Sequence, residues 1–198
     1  MGDSGLRERG RESAVERPLL MVDIDGVISL FAAGGEQLAP RPEGSLHSIE
    51  GIPHFLSATA AAHLLDLAGH FDLVWASGWE ERANDHLPHL LGLPGGMPFL
   101  RFDRADHPLR GRCPRSNAHW KLDAIERHGG ERPLAWIDDA LDADCRAWAE
   151  RRTAPTLLVE TDPRVGLTEQ EAGLLKAWAE RLAADALRPR ESGPPRPA

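Results

Sequence analysis

The sequence predicts an α/β fold with a central five-stranded parallel sheet that carries helices on both faces. Two observations lead to this prediction. Short, nearly continuous apolar runs alternate along the chain with segments of helical periodicity, which is typical of strands that are covered on both faces. Acidic or hydroxyl residues follow several of these runs directly, and ligands of parallel sheets bind beyond the carboxyl ends of the strands. We therefore expect a site at that edge of the sheet.

The apolar runs define the strands. They are predicted at Leu19 to Ile24, Phe71 to Ala76, Phe99 to Phe102, Pro133 to Ile137 and Thr156 to Glu160. Because strands and helical patterns alternate, we expect the strands to run parallel.

Five helices are predicted between and after these strands. They span Pro53 to Ala68, Glu80 to Leu91, Ser116 to His128, Leu141 to Arg151 and Glu169 to Leu187. Gly69 terminates the first helix, and Ser116 is the expected N-cap of the third. Pro88 is expected to kink or split the second. Thr168 and Glu171 form the pattern of a capping box before the last.

The folded part is predicted to be one domain over residues 18–187. Residues 1–17 are charged without apolar periodicity and are expected to form a disordered tail. Residues 188–198 are rich in proline and arginine and are expected to form a second tail.

Composition narrows the function classes. The chain has 198 residues and a formal net charge of −8, which argues against non-specific binding to nucleic acid. Cys113 and Cys145 have neither metal-ligand spacing nor the density of a disulfide scaffold, so we expect reduced thiols and no disulfide-linked partner. We find no signal-peptide pattern and no apolar run long enough to span a bilayer. These patterns favour a cytoplasmic protein with no membrane partner.

Functional side chains follow three of the predicted strands. Asp23 and Asp25 follow the first strand, Ser77-Gly78 follows the second, and Asp138-Asp139 follows the fourth, with Lys121 on the helix before that strand. A parallel arrangement places all of them at one edge of the sheet. Clustered carboxylates repel one another unless a cation joins them, and an oxygen-only site with few protein ligands suits Mg²⁺. A lysine beside them can hold a phosphoryl oxygen.

These motifs, in this order over residues 19–142, resemble those of the haloacid dehalogenase (HAD) superfamily. The resemblance implies a Rossmann-like HAD fold. It implies that Asp23 is the nucleophile and a Mg²⁺ ligand, and that Asp25 is the general acid/base and offers its backbone carbonyl to the metal. Asp at position 25 fits the phosphohydrolase branch. We therefore expect a Mg²⁺-dependent phosphohydrolase that forms an aspartyl-phosphate on Asp23.

The resemblance also assigns the remaining site residues. Ser77 and Lys121 would bind the phosphoryl group, and Gly26 would permit the tight turn. Asp139 would ligate the metal directly, and Asp138 would support Lys121 or a metal-bound water. Asp142 is a further candidate at the edge of the site.

Members of this superfamily often carry cap insertions at two points of the chain, and the lengths of these insertions determine how open the site is expected to be. Residues 29–52 leave room for a β-hairpin flap, and the segment between Ser77 and Lys121 is too short for a cap domain. We therefore expect a small flap insertion, no full cap domain and an open site. Openness favours large substrates or a partner that closes the site.

Several residues near the expected site have two interpretations. Ser77, Gly78, Lys121 and Trp79 form the expected substrate-binding set, and Trp79 either stacks on a flat leaving group or is a core residue of its helix. The arginine-rich loop 101–115 is either a patch for phosphates or a solvated loop. No histidine shows a ligand pattern, although His47 and His119 could reach the site.

The substrate remains open between two classes. Phosphorylated small molecules are the first, and nucleic-acid ends are the second, since the chain also resembles small HAD domains associated with RNA repair. An end-processing phosphatase of RNA or DNA repair is therefore the alternative function. A non-catalytic binding module that kept the fold is the third hypothesis, which the intact set of motif residues disfavours.

Overall fold

The computed structural model describes residues 16–31, 42–102 and 118–188. In chain order, its elements are β1 (Leu19–Val22), β2 (Ser29–Leu30), β3 (Gly44–Ile49), β4 (Ile52–Ser57), α1 (Ala58–Leu67), β5 (Asp72–Trp75), α2 (Arg82–Leu91), a 3₁₀ turn (Ala118–Lys121), α3 (Leu122–Gly129), β6 (Leu134–Asp138), α4 (Ala143–Arg151), β7 (Thr156–Glu160) and α5 (Glu169–Ala186).

The central sheet is parallel, with the strand order β5-β1-β6-β7. Successive strand residues point to opposite faces, so each strand contributes to two cores. On one face Leu20 and Val22 pack in a cluster with residues of α1, α2 and α5, and on the other Leu19 and Met21 pack in a cluster with residues of α3 and α4. Helices therefore cover both faces, as the apolar runs predict.

The sheet has four strands in the described residues, and the prediction of a fifth at Phe99 to Phe102 is wrong. Phe99 makes only an isolated bridge to Trp75, and the backbone N–H of Leu100 donates to the Trp75 carbonyl at 2.8 Å. The segment then leaves the sheet, because the Phe102 N–H donates to the side chain of Glu80 at 2.9 Å. Pro98 supplies a carbonyl and no N–H, which also limits pairing.

A second, antiparallel sheet has the order β2-β4-β3. It extends through Ser57, so the predicted helix from Pro53 is wrong over Pro53 to Ser57, and α1 begins at Ala58. The reason is tertiary pairing: six residue pairs join β3 to β4. Glu50 and Gly51 connect them with φ values of 51° and 82°, the left-handed pair that a two-residue hairpin turn needs.

The other helices lie close to their predicted positions. α2 continues through Pro88 as one helix and ends at Gly92, whose φ is 69°. The Thr168–Glu171 capping box is present at the start of α5. None of the helices in the described ranges is long and apolar enough to cross a bilayer.

Several predictions fall outside the described residues. They concern residues 1–15 of the first predicted tail and residues 189–198 of the second. They also concern Ser116 as a helix cap, Cys113, the interior of the predicted flap at residues 32–41, and most of the arginine-rich loop. Arg101 is described: its guanidinium contacts Glu81 at 3.0 Å and lies over the Phe99 ring.

The order of the parallel strands creates a crevice at the end of β1. From β1 the chain first adds β5 on one side and later adds β6 on the other. Connections therefore leave β1 in opposite directions, and the carboxyl end of such a strand is where parallel sheets bind ligands. Asp23 is the first residue after β1.

Candidate active site

Three strand ends supply the polar residues of the crevice. Asp23 follows β1, Ser77 lies two residues beyond β5, and Asp138 is the last residue of β6 with Asp139 directly after it. Lys121 lies at the junction between the 3₁₀ turn and α3. The structure thus brings these sequence-predicted residues together at one edge of the sheet.

Carboxylate oxygens of Asp23, Asp138 and Asp139 all lie within 4.8 Å of one another. The Lys121 ammonium contacts Asp23 Oδ2 at 2.9 Å and Asp138 Oδ2 at 2.6 Å. Asp23, Asp138 and Lys121 are all buried. One ammonium is therefore shared by buried carboxylates that together carry more charge than it does.

Asp138 is held by further donors. Its Oδ2 accepts the Trp136 indole N–H at 3.2 Å, and its Oδ1 accepts the Ala140 backbone N–H at 3.0 Å. Both oxygens thus have protein donors, and Oδ2 also contacts Lys121. This arrangement suits Asp138 to orient the lysine.

Asp139 is half-buried and packs against the backbone at Gly26. A Cβ at position 26 would lie 2.4 Å from Asp139 Cγ, and Gly26 has a φ of 76°. Both the contact and the left-handed backbone require glycine. The turn after β1 and the Asp139 carboxylate therefore fit each other only because position 26 has no side chain.

Burial changes the acidity of two of the clustered carboxyls. It raises the pKa of Asp23 from an ordinary 3.8 to about 7. The charge of Lys121 lowers this pKa in part, and the charge of Asp138 raises it further. Burial, followed by the Asp138 charge, raises the pKa of Asp139 to about 6. Burial lowers the pKa of Lys121, but the charges of Asp23 and Asp138 more than offset this effect and hold that pKa above its usual range. A cation beside these groups would favour the ionised carboxylates.

The donor set fits a hard divalent cation. Carboxylate oxygens are the ligands that Mg²⁺ takes in proteins, usually one or two of them, with water and substrate phosphate completing the shell. Asp138 is the more heavily engaged of the two buried carboxylates, since it contacts Lys121, the Trp136 indole and the Ala140 N–H. Asp23 contacts Lys121 and accepts the Ile24 N–H at 2.8 Å. The Asp25 carboxylate is not a member of the cluster.

Asp25 instead contacts Trp79. The Trp79 indole N–H donates to Asp25 Oδ2 at 2.9 Å. Trp79 is half-buried and packs against the core cluster that contains α1 and α2 residues, so it combines a core contact with a position on the cavity wall. Its neighbours Ser77 and Gly78 also line the cavity.

The site opens into a cavity of about 440 Å³. Its floor holds the aspartates, Ser77 and Lys121, and its walls include side chains that sequence reasoning missed. The missed wall residues are Phe31, Ile49, Glu50, Ile52, His54, Arg82, His86 and Trp120. Four of them lie on the hairpin from Gly44 to Ser57, so recognising that hairpin would have found them, and Phe31 directly follows β2.

The remaining site predictions have plain positions. His47 hydrogen-bonds Ser45 at 2.7 Å and does not line the cavity, and the side chain of His119 lies outside the described part of the chain. Asp142 Oδ1 accepts the Cys145 N–H at 3.0 Å and caps α4. Cys145 is a buried free thiol whose pKa burial raises to about 12.

Comparison with known proteins identifies one family. The family model described as "HAD domain in Swiss Army Knife RNA repair proteins" matches residues 19–172, which include every motif residue named above. No curated protein matches the chain significantly.

Proposed function

The chain belongs to the family of HAD domains in Swiss Army Knife RNA repair proteins, and on that premise we propose that it is a Mg²⁺-dependent phosphohydrolase. The reaction is hydrolysis of a phosphomonoester through an aspartyl-phosphate on Asp23. One observation carries the proposal: carboxylate oxygens of Asp23, Asp138 and Asp139 lie within 4.8 Å, and a buried lysine contacts two of these groups at the floor of an open cavity.

The residues divide the reaction between them. An oxygen of the ionised Asp23 carboxylate attacks phosphorus while the bond from phosphorus to the leaving oxygen breaks. Asp25 donates a proton to that oxygen, and it then takes a proton from the water that attacks the aspartyl-phosphate. Lys121 and Ser77 hold the phosphoryl oxygens. Bound Mg²⁺, held by Asp23 and Asp139, would neutralise charge on the phosphoryl group.

The nucleophile is tested with Asp23→Asn. We expect this variant to lose hydrolysis of p-nitrophenyl phosphate in Mg²⁺ while it keeps a cooperative unfolding transition. Acid-quenched wild-type protein should carry a phosphoryl group on the peptide that contains Asp23, detected by mass spectrometry. Undiminished turnover by Asp23→Asn would overturn the mechanism.

The matched control is Asp66→Asn. Asp66 is an exposed carboxylate on α1 that contacts Lys176 and does not line the cavity, so its variant should retain full activity. Chelation of Mg²⁺ should abolish turnover in both the control and the wild type. Activity that survives chelation would remove the metal from the proposal.

A nucleic-acid end is the second candidate substrate. The observation that favours it is the cavity lining, which includes the flat or apolar side chains of Phe31, Trp120 and Ile52 as well as the carboxylates. Such surfaces can contact a base. The test compares a 3′-phosphorylated oligonucleotide with a 3′-mononucleotide. A kcat/KM at least tenfold higher for the oligonucleotide supports an end-processing enzyme, and equal values favour small molecules.

The non-catalytic alternative has its own signature. A binding module would release no phosphate from any member of a broad substrate panel in Mg²⁺. It would still bind Mg²⁺ or a phosphorylated ligand, which calorimetry detects. Phosphate release from one panel member, lost in Asp23→Asn, excludes this alternative.

A further inference from the structure

We propose that Trp79 is a positioning residue for the proton-transfer group Asp25, rather than a stacking platform for substrate. The proposal rests on the proposed function, because it assigns a role within the same reaction. It starts from the 2.9 Å hydrogen bond between the Trp79 indole N–H and Asp25 Oδ2. An indole N–H is a donor only, so it fixes Oδ2 as an acceptor. Asp25 Oδ1 is then the oxygen left to carry the transferred proton.

The Trp79 ring is itself held on its other side. The His54 ring on β4 meets it edge-on, with the ring centroids 4.9 Å apart and the planes at 71°. His54 Nδ1 forms a hydrogen bond of 2.8 Å with the Ser29 hydroxyl. Ser29 is buried, and its carbonyl accepts the backbone N–H of Gly26, the residue after Asp25.

These contacts form a closed circuit. It runs from Asp25 to Trp79, on to His54 and Ser29, and back to the turn that carries Asp25. Four segments contribute: the turn after β1, strand β2, strand β4 and the turn after β5. Rotation of the Asp25 carboxylate therefore breaks its hydrogen bond with an indole that is itself held in place.

The backbone beside Trp79 is also fixed. Glu80 adopts a left-handed conformation with a φ of 49°, which a residue with a side chain rarely adopts. Its N–H donates to the Ser77 carbonyl at 3.0 Å, and its carboxylate accepts the Phe102 N–H at 2.9 Å. The constrained turn therefore sets the direction of the indole.

The role concerns one step. As the Asp23 oxygen bonds to phosphorus, the bond to the leaving oxygen breaks and that oxygen takes the proton of Asp25. A weakly acidic alcohol needs this proton to depart, whereas a strongly acidic phenol departs as its anion without it. The value of a correctly placed Asp25 thus grows as the leaving group becomes less acidic.

The test measures kcat/KM of Trp79→Phe over substituted phenyl phosphates, from p-nitrophenyl to unsubstituted phenyl. Phenylalanine keeps a ring against His54 but removes the N–H. We expect about a 100-fold loss for phenyl phosphate, within the range of general acid catalysis, and less than about threefold for p-nitrophenyl phosphate. Asp25→Asn should show the same trend more strongly. Trp178→Phe, which removes an indole on α5 where it stacks with Phe71, is the control and should change neither value.

The pattern of losses separates the possible roles. A uniform loss across the series indicates general damage, a rise in KM alone indicates stacking on substrate, and no loss indicates no role. Each of these results overturns the inference. If Asp25→Asn shows the trend while Trp79→Phe does not, the inference fails and the proposed function stands.

A second measurement does not require turnover. In protein labelled with ¹⁵N-tryptophan, Trp79→Phe identifies the Trp79 indole signal among those of the six tryptophans. We expect that signal to lie downfield and to move upfield in Asp25→Ala. An indole signal that ignores Asp25→Ala overturns the inference even if the wild type releases no phosphate, a result that would count separately against the proposed function.

Discussion

Lys121 is only 3% exposed, although its ammonium carries a full charge. Burial of a charge costs several kcal/mol unless an opposite charge and hydrogen bonds compensate it. Contacts with Asp23 at 2.9 Å and Asp138 at 2.6 Å supply that compensation. The two carboxylates depend on the lysine in turn. If it were removed, they would lose their only ammonium contact within the described residues.

Replacing Lys121 with methionine should therefore destabilise the metal-free protein by about 3–5 kcal/mol, the usual cost of breaking a buried ion pair. Urea unfolding at pH 8 measures this loss. Lys176→Met is the matched control, since Lys176 pairs with Asp66 at the surface, and its loss should cost less than about 1 kcal/mol. Equal losses for the two variants would contradict the account of Lys121.

Gly26→Ala should lower the affinity for Mg²⁺ about tenfold or more. The new Cβ would lie 2.4 Å from Asp139 Cγ, so the carboxylate must move away from the cluster. A tenfold change corresponds to about 1.4 kcal/mol, which a displacement of one ligand readily supplies. Calorimetric titration with MgCl₂ measures the effect.

Gly92→Ala controls for backbone strain in that experiment. Gly92 also has a left-handed φ, of 69°, but a Cβ added there would meet nothing within 4 Å. Its variant should lose stability through strain yet keep the Mg²⁺ affinity of the wild type. If Gly92→Ala weakens Mg²⁺ binding as much as Gly26→Ala does, the contact with Asp139 is not the cause.

At the scale of the element, the segment from β4 into α1 positions part of the cavity wall, because Ile52 and His54 on β4 line the cavity. Strand β4 ends at Ser57, whose hydroxyl accepts the Ala60 N–H at 3.1 Å and caps α1. Ser57 is fully buried, and its own N–H donates to the Ile28 carbonyl at 2.9 Å. One residue thus ends a strand, starts a helix and ties both to the turn after β1.

Ser57→Ala should lower the free energy of unfolding by about 1 kcal/mol, the usual cost of a lost N-cap. Thermal or urea unfolding measures this change. Ser48→Ala on the exposed edge strand β3 is the control and should fall within about 0.5 kcal/mol of the wild type. If Ser57→Ala lowered the free energy of unfolding no more than Ser48→Ala does, the cap would contribute nothing to the stability of α1.

The same segment marks the limit of sequence-based prediction. Pro53 and the apolar spacing that follows it are compatible with a helix. Gly44 to Ile49 contains too few apolar residues to predict a strand. Only the pairing of β3 with β4 makes both segments extended. Such pairing depends on tertiary contacts, which override local preference.

The floor of the site was far easier to predict than its walls. Asp23, Ser77 and Asp138 meet because parallel strands end at the same edge of the sheet, a consequence of chain direction alone. Phe31, His54 and Ile52 lie on or beside the antiparallel sheet, and the sequence pattern predicts a helix, not a strand, from Pro53 onwards.

At the scale of the whole molecule, the clustered acids couple stability to pH. In the folded metal-free protein the pKa of Asp23 is raised to about 7 and that of Asp139 to about 6, against 3.8 in an unfolded chain. Between pH 4 and pH 7 the folded state therefore binds more protons than the unfolded state. Where that holds, the free energy of unfolding falls as pH rises.

We expect urea unfolding in the presence of a chelator to show this fall between pH 4 and pH 7. The double variant Asp23→Asn and Asp139→Asn should have a flatter profile over the same range. His128, whose pKa burial lowers, acts in the opposite direction near pH 6.5 but is present in both proteins and cancels in the comparison. Parallel profiles for the two proteins would contradict the assignment.

Mg²⁺ should reverse the trend, because metal ligands must be ionised to bind. Saturating MgCl₂ is expected to raise the melting temperature more at pH 8 than at pH 5, as binding to the folded state alone adds stability. The double variant should show little response at either pH. A larger shift at pH 5 would exclude the carboxylates as the ligands.

The fit between Gly26 and the Asp139 carboxylate also restricts how sequences of this family can diverge. Two positions that are distant along the chain share one small volume, so neither can change size freely. A lineage that acquires a side chain at the first position is expected to shorten or lose the carboxylate at the second, which is one of the two groups proposed here to hold Mg²⁺. Paired substitutions at these positions would therefore identify, from sequence alone, relatives that lack the proposed metal site.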